Sequence, residues 1–349
     1  MLIIRMILLI FLLFSAAAVC LSRKLLASII IYASFGTVFS LIWILIISPD
    51  IAISEAAVGT GITGVLFFVV LKRIGVVEIE YLEEKRQERL ENWEKKSGKT
   101  GIRYFYNTLS VIICISFTAI LLYTVVQLPG FGDPNNPTNN EVPRRYLEEG
   151  VLDTGAINAV SAMLWSYRAF DTFGEASVLF VAVCSVLILV RGGIVTLKAS
   201  DAFLHGMDEP SSDPILKKTA FAMISIIMTF GIYSILHGHI SAGGGFSGGA
   251  ILGASAVLYT SAFGVKRANA FIDYKTFCRI MVICLATNAL AKGYSFIAGA
   301  NNLPYVIPLG TPGNLLSGGF IPLMNIAVGA TVACTLYVIF ILFTKGDLN

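Results

Sequence analysis

The sequence predicts an all-α, polytopic membrane protein of roughly nine transmembrane helices, and three observations carry that prediction. Hydrophobic residues make up 56% of the 349 and charged residues only 13%, whereas a soluble domain carries about a quarter charged residues. Mean hydropathy is +0.79. Several apolar runs reach the ~20 residues that a helix needs to cross a bilayer, and short charged or Gly/Pro-rich connections separate them.

The spans are predicted at 2–21, 25–47, 51–72, 107–127, 175–197, 216–236, 250–265, 277–297 and 319–343. The first run is expected to be a mature helix: Arg23 and Lys24 follow it where a signal peptide would show a small-residue cleavage site. Positive charge sets the orientation. Lys72, Arg73, Lys85, Arg86, Arg89, Lys95, Lys96, Lys99 and Arg103 crowd one connection, which the positive-inside rule makes cytoplasmic. Nine spans then put the N terminus outside and the C terminus in the cytoplasm. That arrangement brings Arg23/Lys24, Lys198, Lys217/Lys218, Lys266/Arg267 and Lys345 to the cytoplasmic side and leaves Arg144 and Arg145 outside. Between 151 and 170 a short, glycine-interrupted apolar segment suggests a re-entrant or interfacial helix, a form tolerated against protein or a water-filled cavity.

Two polar connections divide the chain into blocks: 1–74, a charged linker 75–103, 104–200, and 201–349. The linker mixes many Glu with its Lys and Arg, which fits an amphipathic surface helix and a solvated one equally. A formal charge of +3 gives no reason to expect a nucleic-acid partner. The six cysteines all fall in apolar runs without a CxxC pair, so they read as small hydrophobes, and neither a metal site nor a redox centre is expected. The run GGGFSGG lacks the lysine and the preceding strand of a phosphate loop.

Ionisable groups in apolar runs are costly, so each is a functional candidate. In SPDIAISEAA, Glu55 falls one turn into a span, where burial would raise a carboxyl's hold on its proton. The structural alternative has Asp50 capping the helix and Glu55 facing its dipole. Arg168, Asp171 and Glu175, at i, i+3 and i+7, share one helical face if Gly174 leaves the helix unbroken; they form either a proton chain or an interfacial ion-pair network. Lys292, deep in CRIMVICLATNALAKGYSF, either snorkels outwards or pairs with a carboxylate, and snorkelling is the preferred expectation. His237 and His239 with Gly243, Gly244, Gly245, Gly248 and Gly249 allow irregular backbone, an imidazole relay or simply close helix packing. His-Gly-His alone is no zinc site.

The stretch HGHISAGGGFSGGAILGASAVLY, with the later GTPGNLLSGGFIPLMNIAVGA, closely resembles MnhB, the B-type component of the Mrp (Mnh) multisubunit sodium/proton antiporters, over about 216–349. SPDIAISEAAVGTGITGVLFFVVL resembles the small domain at the end of the Mrp A-type component, which in membrane-bound hydrogenases is a separate D-type component. NAVSAMLWSYRAFDTFGEASVLFVAV is similar to the segment that follows it, the hydrogenase E-type component. The three matches stand in the family's own order and cover nearly the whole chain.

The resemblance implies a non-catalytic, multi-pass subunit of a prokaryotic cell membrane, in the ion-translocating arm shared by Mrp antiporters and redox-driven membrane-bound hydrogenases or sulfane reductases. It implies Na+ and H+ as transported ions and no cofactor in this chain. The implied partners are antiporter-like and small C, E, F and G type subunits, a peripheral nickel-iron or iron-sulfur redox arm, and lipid. Glu55 and Glu175 match acidic family positions on the ion path, with Asp171 and Lys292 as further candidates, and His237, His239 and the glycine run match the MnhB signature. Three departures stand out: Ala242 where proline is usual, Ser166 where relatives often carry aspartate, and Thr331 where many carry lysine. The long antiporter-like region of the Mrp A-type component does not precede the first block, so the pumping half is expected on another polypeptide.

Overall fold

The computed structural model describes residues 2–22, 24–74, 100–130, 132–191, 213–270, 274–301, 303–304 and 306–345. The linker expected at 75–103 and the polar stretch 198–215 lie largely outside these residues. Nine helices among those described are long and apolar enough to span a membrane, and the described residues contain no strand.

The chain forms two compact units, Met1–Ile74 with Tyr146–Asn349, and Gly75–Arg145. In the first unit, α1 (Leu2–Leu21) and α2 (Leu25–Leu45) pair; Arg5 of α1 reaches across to donate to the Leu45 carbonyl at 2.7 Å, satisfying the end of α2. The third span is composite: α3 (Pro49–Ser54), a π-helical stretch Glu55–Ile62, and α4 (Thr63–Ile74). Pro49 suits the first turn because no helical bond needs its nitrogen. The wider π turn holds Gly59 and Gly61, and the Thr63 hydroxyl donates to the Val58 carbonyl at 2.8 Å. The second unit contains α5 (Thr100–Val126), whose span has no buried residue. The short α6 (Glu141–Glu148) leads back into the first unit.

The segment expected to be re-entrant is broken into α7 (Gly150–Thr154), α8 (Ala159–Ala162) and a second π turn, Met163–Tyr167. Ala156, Ala162 and Trp165 are buried within the bundle. Next come α9 (Ala169–Arg191), α10 (Pro214–His237), α11 (Gly245–Phe263), the short α12 (Val265–Asn269), α13 (Tyr274–Ala300) and α14 (Ile321–Lys345). Of the boundaries that differ from the sequence reading, two bear on the site. Span five begins at Ala169 rather than 175, because Gly174 lies inside an unbroken helix. The seventh begins at Gly245 rather than 250, because its first glycines are helical and packed.

Helix α14 is the most deeply buried span and packs against α9, α11 and α13. At its crossing with α11 the backbones nearly touch. A Cβ added at Gly249 would lie 2.5 Å from the Gly329 carbonyl oxygen and 2.9 Å from the Gly329 Cα. Small residues are what permit such approach between membrane helices. Gly249→Ala is therefore expected to separate α11 from α14 and to destabilise the bundle by about 1–3 kcal/mol, read as a lower thermal midpoint of the purified complex; an unchanged midpoint would contradict this packing.

Candidate functional site

Three sequence-distant segments meet at one end of the first unit. Asp50 begins the third span, Asn158 precedes α8, and residues 238–245 connect α10 to α11. Asn158 links all of them. Its Nδ2 donates to Asp50 Oδ1 (3.1 Å) and to the carbonyls of Gly238 (3.0 Å) and Ser241 (2.9 Å), while its Oδ1 accepts from Val160 N and caps α8. Its backbone N donates to the His239 carbonyl at 3.1 Å. Asp50 Oδ1 also accepts from Gly243 N at 2.9 Å. The structural alternative in which Asp50 caps its own helix is not what is seen: its carboxylate holds a loop nearly two hundred residues away in sequence.

The glycine run follows from this loop's backbone. Gly243 and Gly244 have φ of 142° and 130°, a region that side chains other than glycine rarely enter. Their N–H groups all find acceptors, in Asp50 for Gly243 and the Ser234 carbonyl for Gly244, and Gly245 donates to Asn325 Oδ1 at 3.1 Å. Gly248 and Gly249 serve the helix crossings.

His239 is fully buried with Nε2 3.3 Å from the Asn314 carbonyl, and His237 stacks on Tyr233 with ring centroids 4.4 Å apart. Neither ring lines the cavities described below, so the relay arrangement expected for them is not seen there. Burial lowers the pKa of His239 from its ordinary 6.5, nearby His237 adds to this, and the Asn314 carbonyl opposes it. The unfolded imidazole therefore takes up a proton first as pH falls. The stability this loop draws from a neutral His239 is complete above 6.5 and is lost as pH drops through that value towards the lowered folded one. Amide exchange across 238–245, corrected for intrinsic rates, is expected to speed up between about pH 7.5 and about pH 5.5, and the His239→Asn variant to show no such change.

Lys292 does not snorkel. It is 4% exposed, its Nζ donates to the Trp165 carbonyl at 2.7 Å and lies 5.1 Å from the centroid of the Trp165 ring. The expectation of an outward-reaching ammonium is corrected by a local cause: the π turn 163–167 frees carbonyls from the helical ladder. Trp165 O takes Lys292, and Leu164 O accepts from Thr172 Oγ1 at 2.7 Å. Among the described residues Lys292 makes no ion pair.

The carboxylates divide. Asp171 bonds Arg168 (Nε to Oδ2, 2.7 Å) with both side chains about half exposed, which is the ion-pair alternative. Arg168 ends the π turn with φ −113° and ψ 37°, outside α9, so the expected single face of three charged residues is broken at its first member. Glu55 folds back along its own π turn, with its carboxylate against Gly59. Glu175 projects from α9, and its side chain has no hydrogen bond or ion pair among the described residues.

Two cavities run beside these groups. One, of about 200 Å³, lies below the Asp50 hub and is lined by Asp50, Ser161, Trp165, Thr172 and Asn325. The other, about 470 Å³, is an apolar groove with Glu175 in its wall, set against Val58, Val332 and Thr335. Ser54 and Phe246 line both. Asp50's role at the hub, Asn158, Asn325, Trp165 and Phe246 were not singled out by sequence reasoning.

Residues 215–338 match the domain related to the MnhB subunit of Na+/H+ antiporter; residues 10–76 match the D component of MBH and residues 103–193 match its E component. The chain is also 30% identical, over 234 residues, to an uncharacterized protein (MJ1307) of Methanocaldococcus jannaschii, covering 62% of this chain and 83% of that one. The chain belongs to this family: an MnhB-type domain fused to MBH D and E domains. The fusion overlays a chain of the Mrp complex from Dietzia sp. DQ12-45-1b with a TM-score of 0.71 at 20% identity, over 98% of this chain and 35% of that one. It thus spans about a third of that Mrp chain. It also overlays a chain of the membrane-bound sulfane sulfur reductase, an archaeal respiratory membrane complex, with a TM-score of 0.52 at 26% identity, over 67% of this chain and 96% of that one. The MnhB-type fusion is a membrane subunit of an Mrp-type antiporter or a hydrogenase-like complex.

Proposed function

We propose that the MnhB-type fusion is a non-catalytic subunit that carries ions, H+ and Na+, through an Mrp-type antiport module within a redox-driven, hydrogenase-like complex of a prokaryotic cell membrane. One observation supports this above the others. Glu175, a carboxylate with no hydrogen bond or ion pair among the described residues, stands within an apolar span and in the wall of a groove, next to a cavity lined by buried polar groups. A carboxylate at that depth costs several kcal/mol unless water, an ion or a partner's charge meets it, and helix capping gives no reason for it six residues into α9. The D–E–B order of the matched domains and the sulfane reductase overlay favour the redox-driven setting. The overlay of nearly the whole chain on part of an Mrp chain favours a stand-alone antiporter as the second reading. Antiporter-like and small C, E, F and G type subunits are the proposed partners, with a nickel-iron or iron-sulfur arm in the first setting and lipid filling gaps between blocks.

Native complex in vesicles separates the settings. Sodium uptake on adding a low-potential reductant supports the redox-driven reading, and uptake driven by an imposed proton gradient alone supports the antiporter; uptake with neither overturns the transport role. Within this role Lys292, behind the Trp165 wall, exchanges a proton as ions pass. Lys292→Met is expected to lower flux at least about tenfold with assembly intact, and Lys292→Arg to do no better because a guanidinium keeps its proton. Full flux in Lys292→Arg would reduce Lys292 to a positional tie.

A further inference from the structure

The two cavities share two residues, and that junction carries a function of its own. The hub cavity has a polar wall: the Asp50 carboxylate, the Thr172 hydroxyl, and two buried atoms without a partner among the described residues, Ser161 Oγ (residue 5% exposed) and Asn325 Nδ2 (residue 0% exposed). About 200 Å³ with several donors and acceptors is enough for several waters, each able to find two or more partners. The groove beyond has Glu175 and Thr335 but is otherwise apolar. Both cavities are lined by Ser54 and by the half-buried Phe246, the second residue of α11. The ring's anchorage is fixed, since Gly245 is bonded to Asn325 and a Cβ there would lie 2.7 Å from the Asn325 carbonyl oxygen.

We propose that Phe246 is an apolar gate between an aqueous vestibule at the Asp50–Asn158 hub and the Glu175 groove. An aromatic ring across a narrow polar passage opposes continuous water and so opposes ion leak, while a small rotation of the ring opens it. Ser54, on the third span, is the polar residue that lines both cavities, and its hydroxyl donates to the Asp50 carbonyl at 2.9 Å. The gate rests on the transport reading for its purpose, but its existence is tested without transport.

The test uses the assembled complex in vesicles, with a charged, membrane-impermeant thiol reagent applied from each side and labelling read residue by residue. Ser161→Cys reports the vestibule and Thr335→Cys the groove. Ser161→Cys is expected to react from one side whatever residue stands at 246. Thr335→Cys is expected to react from that side roughly tenfold faster with Phe246→Ala and more slowly with Phe246→Trp. Phe246→Leu makes the same comparison should the alanine variant fail to assemble. An unreactive Ser161→Cys, or a Thr335→Cys rate indifferent to residue 246, overturns the gate. Passive sodium and proton leak is measured in the same vesicles. Faster labelling with raised leak supports gate and transport together, whereas faster labelling with unchanged leak keeps the gate and overturns the transport reading.

Discussion

Asn158→Ala is expected to cost about 3 kcal/mol or more of local stability and to release the loop at 238–245 from the third span. The amide donates to Asp50, Gly238 and Ser241 and accepts from the backbone N–H groups of Val160 and Ser161. Alanine replaces none of these bonds, and it leaves two carbonyls short of donors beside a carboxylate with one fewer partner. Buried polar groups left unsatisfied cost more than the bonds contributed. Because the partners belong to three segments, the effect is not confined to one helix. The measurement is limited proteolysis and thermal unfolding of the complex: earlier cleavage in the loop and a lowered midpoint are expected, while Asn158→Asp, which keeps the cap but loses the donor, should fall as far or further because it sets a second carboxylate against Asp50. A stable Asn158→Ala complex would show that packing alone joins the segments.

The legible part of this molecule was the part written in run length and charge. Nine apolar runs correspond to nine helices, among the described residues, long and apolar enough to span a membrane, because a bilayer admits little else of that composition. Glu175 was legible as a candidate through its spacing from Arg168 and Asp171 and through the family match, although the predicted span starts at that residue and the observed one begins at Ala169. The hub was not. Asp50 and Asn158 stand 108 residues apart, Ser-Pro-Asp reads locally as a helix start, and an asparagine before a short helix has no signal beyond capping. Lys292 misled because its partner is a backbone carbonyl, freed only by a π turn that no residue pattern announces. Of the histidine pair, one ring is buried against Asn314 and the other stacks on Tyr233, contacts that no sequence pattern announces. The glycines had two readings, and the structure uses both: left-handed-region backbone at Gly243 and Gly244, close helix crossing at Gly249.

The largest expected effect belongs to Glu175→Gln. Glutamine keeps the volume and the hydrogen-bonding capacity of the side chain but removes the one charge that the groove wall presents among its lining residues. A component that hands protons or sodium across this groove needs that charge; a scaffold does not. Since the Glu175 side chain makes no hydrogen bond or ion pair among the described residues, the substitution should leave the folding of this chain untouched. Coupled sodium and proton flux, measured in vesicles holding the whole complex after assembly is verified, is expected to fall at least about tenfold in Glu175→Gln, with partial recovery in Glu175→Asp. Wild-type flux in an intact Glu175→Gln complex would contradict the account and make this chain a scaffold beside an ion route that lies elsewhere.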